Sequence, residues 1–483
     1  MNRSVTLLFS RQFCKNTLQQ KPFYVLWTVF LILLGYAGIT GERHMQQQNK
    51  IQQQYQQVIR KSWTDNPDKH PHRMAHFGSF ALRIKHPLSL FDFGMENFAG
   101  NAVFLEAHKQ NSVNFSEASF STGLLRMGEL SIAMLLQIIL PLIVFFLGFS
   151  SIAADRENGT LKIISSQGAG VYSLLLGRSL GLWIMSACFF VPAFAVSALL
   201  INNHSDAFPL AETATRFLLI SFAYCIFFWI IAVISISVSA QSTTSKKALI
   251  KLLGLWLLLA VLLPRMIQTV TNNIYPSPSK LQFETAVEKD IVKQGDSHNP
   301  DDPFFKRIKD SVLKKHGAVK ADSLPVNLGG IISKAGEQLS SATYVKHQDS
   351  LNAIYKKQNR FAALFAFVNP FVMIKTHSMA YAGTDYHAYV HFQQQAETYR
   401  YALAQRMNDL QIELVSNRKP KEGSHVLHID KKHWEEFEDF NYQFLTVKQV
   451  LQNELISAAA LCCWLLLSFA GLRFIAKQFK LII

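Results

Sequence analysis

Six long apolar runs leave this chain little choice of architecture. They are "FYVLWTVFLILLGYAGIT" at 23–40, "LSIAMLLQIILPLIVFFLGF" at 130–149, "YSLLLGRSLGLWIMSACFFVPAFAVSALLI" at 172–201, "FLLISFAYCIFFWIIAVISISVSA" at 217–240, "ALIKLLGLWLLLAVLLPRMI" at 248–267 and "LISAAALCCWLLLSFAGLRF" at 455–474. Roughly 20 helical residues cross the approximately 30 Å of hydrocarbon in a bilayer. Only a helix or a closed barrel pairs every backbone N–H and C=O there without water. The expected fold class is therefore a polytopic α-helical membrane protein with six transmembrane helices, at 23–40, 129–149, 172–201, 217–240, 248–267 and 451–474. Pro141, Pro192 and Pro264 interrupt three of the runs; neighbouring helices in a bundle can re-satisfy the backbone groups they free.

Charge orients the chain. Residues 1–22 carry Arg3, Arg11, Lys15 and Lys21 and no acid, the connection before the fifth run carries Lys246 and Lys247, and the end of the chain carries Arg473, Lys477 and Lys480. The connection "NNHSDAFPLAETAT" has no Lys or Arg. Short loops rich in Lys and Arg stay on the cytoplasmic side. Both termini are thus expected in the cytoplasm of a bacterium, with a basic, amphipathic elbow helix over 1–22 lying on membrane lipid, a tail at 475–483, and a multi-pass body in the inner membrane. The same bias accounts for the net charge of +15, and a nucleic-acid partner is not expected. An uncleaved first span is expected, since Thr40-Gly41-Glu42 makes a poor signal-peptidase site.

Two connections are then extracytoplasmic, 41–128 and 268–450, and together they exceed half of the 483 residues. The first opens with "ERHMQQQNKIQQQYQQVIRKSW", a helical extension of the first span, and passes into "MAHFGSFALRIKHPLSLFDFGMENFAG", where Gly, Pro and alternating apolar residues suggest strands and turns. The second is mainly helical: "KLQFETAVEKDIVKQ", a long run from Asn327 to Val368, and "YHAYVHFQQQAETYRYALAQRMNDLQIELV" repeat apolar residues every three or four positions. The two inserts are expected to form one mixed, mainly helical domain. Neither contains a cysteine, so that domain must stand without disulfides.

Residues that could carry chemistry are sparse. His70, His72 and His76 lie close together, and His387 and His391 are one helical turn apart, spacings that can hold a metal. No Cys, Asp or Glu nearby in sequence completes a coordination shell, so hydrogen-bonded or solvated imidazoles are expected and no metal site. "HWEEF" at His433–Phe437 lacks the second His of a zinc-protease helix. "LLLGRSLG" has Arg178 where a phosphate loop needs Lys, and Tyr172 where it needs its first Gly. The chain is not expected to be an enzyme; no catalytic set stands complete in either insert, which argues against a membrane-anchored enzyme. Energised work would draw on ATP held by another subunit.

Between the second and third runs lies a cytoplasmic loop, 150–171, within "ADRENGTLKIISSQGAGVYSLLLGRSLGL". It resembles the coupling region of ABC-2 type permeases in Arg156-Glu157, Gly159-Thr160-Leu161, the small residues from Gly168 to Gly170, and Gly177-Arg178. "HPLSLFDFGMENFAGNAVFLEAHKQN" and "NPFVMIKTHSMAYAGTDYHAYVHFQQQAETYR", the latter around Gly383, Thr384, Asp385 and His387, are similar to the branch with a large extracytoplasmic insert of unassigned function. The resemblance covers nearly the whole chain and implies a permease subunit of an ATP-driven transporter. It implies a separate ATPase partner that holds ATP and Mg2+, no cofactor in this chain, and a dimer with a second permease copy or a related one. Where many members have a Glu-Arg pair, this chain has Asp155-Arg156-Glu157, so either acid can make a given contact. An alternative is a mechanotransmitting subunit that moves a periplasmic partner and transports nothing.

Residue chemistry gives the loop a reason independent of family. A short amphipathic helix from Arg156 to about Ser165 would set Leu161 and Ile164 on one side and Arg156, Glu157 and Lys162 elsewhere, apolar anchors and register charges for a groove on an ATPase. An interfacial helix on anionic lipid is the alternative, disfavoured by Asp155 and Glu157. The expected coupling residues are Asp155, Arg156, Glu157, Gly159, Thr160, Leu161 and Ile164. At the second signature, Thr384 is expected to cap a helix beginning near Asp385.

Overall fold

The computed structural model describes residues 3–111, 130–204, 208–295, 299, 301–418 and 427–479. Residues 112–128 of the expected first insert, residue 129 at the start of the expected second span, and residues 480–483 of the expected tail lie outside the described residues. The protein is a helical membrane protein, and among the described residues six helices are long and apolar enough to cross a bilayer: α2 (Lys21–Thr64), α4 (Ile132–Glu157, with a turn at 149–152), α6 (Val171–Asn202), α7 (Leu210–Gln241), α8 (Ser245–Ile274) and α15 (Leu455–Phe479). Each of the six apolar runs lies on one of them. Pro141 in α4 and Pro264 in α8 each follow a π turn, Leu135–Ile139 and Leu257–Leu262. A wider turn makes room for a ring that would otherwise press on the preceding carbonyl.

Helix α1 (Arg3–Leu18) precedes them, as its amphipathic pattern predicts. Its buried face of Thr6, Phe9, Ser10, Phe13 and Thr17 lies in a groove of α6 made by two glycines one turn apart. A Cβ on Gly177 would stand 2.5 Å from the Thr6 carbonyl oxygen, and one on Gly181 would stand 2.9 Å from Phe13 Cβ. Small residues four apart let helix backbones approach closely. The elbow is therefore packed on a span as well as amphipathic.

The expected extension of the first span is present. Helix α2 runs unbroken for 44 residues, about 66 Å at 1.5 Å per residue, twice a bilayer core. Its first half exposes Val25, Val29, Ile32 and Ile39; its far end leaves the bundle. There Trp63 Nε1 donates to the Trp434 carbonyl at 2.9 Å, and Arg60 donates to the carbonyls of Glu435 and Phe437, both at 2.7 Å.

Around that end stands a second body built from both inserts. It contains α3 (Pro71–Phe77), a two-stranded antiparallel sheet of β1 (Ser79–Leu82) and β2 (Ala102–Leu105) with Ser79 opposite Leu105, and the helices α9 (Lys280–Gln294), α10 (Pro303–Lys315), α11 (Leu328–Leu364) and α13 (Tyr386–Leu414). Ala81, Val103 and Leu105 of the sheet pack on Phe392 and Ala396 of α13. Trp63 and Met74 pack with Leu403, Met407 and Trp434. None of the five cysteines is in this body, and all five are free.

One segment of the second insert behaves differently. Helix α12 (Pro370–Ala382) buries Phe371, Ile374, Tyr381 and Ala382 in the core shared by the spans. Asn369 anchors its start, donating to the Leu259 carbonyl of α8 at 2.7 Å.

Candidate functional site

The polar stretch after the second span folds back on its own bundle. The expected single helix from Arg156 to Ser165 is split. Gly159 has φ +76°, a left-handed conformation that glycine enters without a Cβ clash. Helix α4 accordingly ends at Glu157 and α5 spans Thr160–Ser166. Thr160 Oγ1 crosses the break, donating to the Asp155 carbonyl at 3.0 Å.

Asp155, Arg156 and Glu157 each have a partner within the bundle, while Lys162 is exposed. Asp155 Oδ2 lies 3.0 Å from Arg178 Nη2 of α6. Arg156 donates to the Ala240 carbonyl at 2.7 Å and to the Ser242 carbonyl at the end of α7, and its guanidinium sits 5.0 Å from the Phe479 ring centre of α15. Glu157 accepts a 2.5 Å hydrogen bond from Ser245 at the start of α8. Three adjacent side chains thus gather the ends of five spans. The expected apolar anchors need correction: Leu161 is only 4% exposed and belongs to the bundle core, and Ile164 is half-buried, while Ile163 is 57% exposed. With the helix restarted at Thr160, position 161 points inward.

The second signature is at the other end of α4, and the two similar stretches meet there. Gly383, at φ +73°, closes α12. Thr384 is buried; its carbonyl accepts the Met95 N–H at 2.8 Å, and its side chain presses on Gly94, where an added Cβ would come within 2.3 Å of Thr384 Oγ1. Arg83 donates to the Gly383 carbonyl at 2.9 Å and pairs with Glu96 at 2.9 Å. The cap of α13 is Asp385, not Thr384: the Asp385 carboxylate accepts the Ala388 N–H at 3.0 Å, while Thr384 Oγ1 turns back to the Met379 carbonyl. A carboxylate there also suits the helix dipole.

His387 parts from His391 and joins Asp385 and Glu454, their donor atoms within 4.8 Å of one another. Glu454 sits on the turn between α14 (Val447–Asn453) and α15. Burial raises the pKa of Asp385, and burial together with the Asp385 charge pushes Glu454 up to about 7. Two carboxyls this close share a proton more readily than they both ionise. Two residues before Gly94, Asp92 is buried and accepts from Ser378 Oγ at 2.5 Å, the Gly94 N–H at 3.0 Å and Gln137 Nε2 at 3.4 Å; burial raises its pKa. Gln137 also donates to the Tyr224 hydroxyl at 2.7 Å, tying α4 to α7. An open cleft of about 950 Å³ adjoins this network, lined by Asp92, Gln137, Pro264, Tyr355, Lys375 and Tyr386 among others.

Sequence reasoning missed several of these residues. Arg178 entered through the resemblance and without a partner, although a charge inside an apolar run needs one. Ser242 and Ser245 carried none, and Asp92 and Gly94 were visible only as members of a stretch similar to the family branch. A domain of unknown function, DUF3526, matches residues 280–443, a stretch that holds Gly383, Thr384, Asp385 and His387. No curated protein matches the chain.

Proposed function

We propose that the chain is the membrane-spanning permease subunit of an ATP-driven ABC transporter of the ABC-2 type. It couples ATP hydrolysis by a separate ATPase, which holds the ATP and Mg2+, to transport or export across the bacterial inner membrane. Both termini and residues 150–171 face the cytoplasm; residues 41–128 and most of 268–450 form the extracytoplasmic domain. The observation that supports this most is the junction of Asp155, Arg156 and Glu157. A push on α5 reaches the end of α4 through Thr160, and from there α6, α7, α8 and α15 through an ion pair, hydrogen bonds and a cation–π contact, so a rigid displacement there is transmitted to the bundle. At the far end the Asp92 network and its cleft lie on the same α4, where a cargo group or lipid could be held. Helix α8 leaves Ile250, Leu253, Leu257, Leu258 and Leu262 uncovered, an apolar face for a second permease copy in a dimer.

The amount of chain outside the bundle favours a second reading, that of a mechanotransmitter acting on a periplasmic partner. Co-expression with the ATPase encoded nearest the gene, purification on a tag carried by this chain, and flux in proteoliposomes separate the outcomes. Co-purification with ATP-dependent flux supports the transporter. Co-purification with ATP turnover that responds to the extracytoplasmic partner, without flux, supports the mechanotransmitter. Failure of the ATPase to bind sinks both.

A further inference from the structure

Beyond transport, the structure assigns a transition-metal site to His72, His76 and His108, taking a divalent ion of the Zn2+ class. His72 and His76 are one turn apart on α3, and His108 comes from the turn after β2; one ring nitrogen of each lies within 4.8 Å of the others. Three imidazoles sharing one tetrahedral ion at a metal–nitrogen distance of about 2.0–2.1 Å have ring centres about 5.2 Å apart. The observed separations are 4.7 Å for His72–His76, 5.5 Å for His72–His108 and 5.4 Å for His76–His108.

The surroundings orient the third ligand. His108, at φ +61°, is the one non-glycine residue with positive φ among the described residues, and such strain persists where the surroundings enforce it. Here Glu337 of α11 does so: its Oε2 accepts the His108 backbone N–H at 2.9 Å and lies 3.2 Å from His108 Nδ1. A carboxylate on Nδ1 fixes the tautomer that presents Nε2 to a metal, the usual arrangement behind a ligating histidine. Glu337 is itself held by Arg400 of α13 at 2.7 Å, with both side chains fully buried. The Ala107 N–H donates to the Ala75 carbonyl at 3.2 Å, joining the ligand turn to the ligand helix. His70 is not a ligand; its Nδ1 accepts the His72 N–H as the cap of α3. All-imidazole ligation selects Zn2+, Cu2+ or Ni2+ over Mg2+ and Ca2+. His76 is exposed, which leaves the fourth position to water. The ion would tie α3 to the turn after β2 within the first insert, and Glu337 and Arg400 carry that junction on to α11 and α13 of the second, in a body without disulfides.

The test uses the full chain in detergent, purified on a tag without histidine, stripped with chelator and titrated with Co2+ and then Zn2+. One equivalent of Co2+ should give the intense visible absorption of a tetrahedral site, displaced by Zn2+, and Zn2+ should raise the thermal midpoint. His76→Ala, at an exposed position, should keep the metal-free midpoint and weaken binding by at least about 100-fold. Glu337→Gln should weaken it by about 10- to 100-fold. His391→Ala should leave binding unchanged. No tetrahedral Co2+ spectrum in the wild type, or the same affinity in a His72→Ala/His76→Ala variant, overturns the assignment.

Discussion

Arg178 Nη2 stands 3.0 Å from Asp155 Oδ2, with side chains 8% and 22% exposed, and so closes α6 against the end of α4. Removing one partner of such a pair strands the other. Because Asp155 keeps some exposure, Arg178→Ala should cost about 1–3 kcal/mol, below the 3–5 kcal/mol seen for fully buried pairs. The pair should also show a non-zero coupling in a double-mutant cycle with Asp155→Asn, read from unfolding in detergent. Additive single effects would mean that the two groups do not support one another.

Leu161 and Ile163 should separate folding from partner binding. Leu161→Asp buries an unpaired charge among apolar side chains, and an apparent stability loss of several kcal/mol is expected. Ile163→Asp places the same charge in water; the thermal midpoint should not move, while ATPase retention on the tagged chain should fall at least about tenfold. If Ile163→Asp retains the ATPase in full, α5 is not the docking element.

The difference between these two positions marks how far the sequence could be read. Hydropathy located the six spans because a bilayer demands about 20 apolar residues in a helix, and three- to four-residue periodicity found α9, α11 and α13. The position of Leu161 was not legible: it depends on Gly159 adopting positive φ, which resets the helical phase by a break that periodicity does not register. The cap fell to Asp385 instead of Thr384 for a similar reason, since both can cap and only packing against Gly94 decides which faces inward. Contacts between distant segments, such as Asp92 with Ser378 or His108 with Glu337, leave no local pattern at all. The histidines illustrate this best: His70, His72 and His76 suggest a cluster along the chain, yet the third member in space is His108.

Orientation can be tested at two exposed positions in a variant without native cysteines. Val319, between α10 and α11, is 90% exposed, and Lys246 lies at the start of α8. Val319→Cys should react with an impermeant thiol reagent added to intact cells once the outer membrane is permeabilised; Lys246→Cys should react only after lysis. Labelling of Lys246→Cys in intact cells would reverse the proposed orientation.

Glu454 gives a pH signature whose sign is fixed. Its carboxyl ordinarily titrates at 4.5 and is pushed up to about 7 by burial and by the neighbouring Asp385, against a 2.8 Å hydrogen bond from Ser457 that favours the charged form. Between those values the folded protein holds a proton that the unfolded chain has released, so the Glu454 contribution to stability falls as pH rises from 4.5 to 7 and is flat beyond either limit. At about 1.4 kcal/mol per pH unit, the full change is about 3 kcal/mol. His86 works in the opposite direction: burial and the charge of Arg216 lower it to about 3, so its unfolded form takes up protons first as pH falls below 6.5, and stability rises with pH between 3 and 6.5. The slope of the wild-type curve alone is therefore ambiguous, and the difference between wild type and Glu454→Gln is the informative quantity. The amide in that variant retains an acceptor for Ser457 and cannot ionise, so the variant should gain stability relative to wild type steadily from pH 4.5 to 7, with the difference constant above about pH 7.5. Glu337, where the cost of burial is outweighed by hydrogen bonding to His108 and by the charge of Arg400, is held down at about 2, titrates below this window and does not interfere. Unfolding midpoints of the two proteins in one detergent across pH 4.5 to 8 provide the measurement; parallel curves would mean that Glu454 is ionised in the fold at neutral pH.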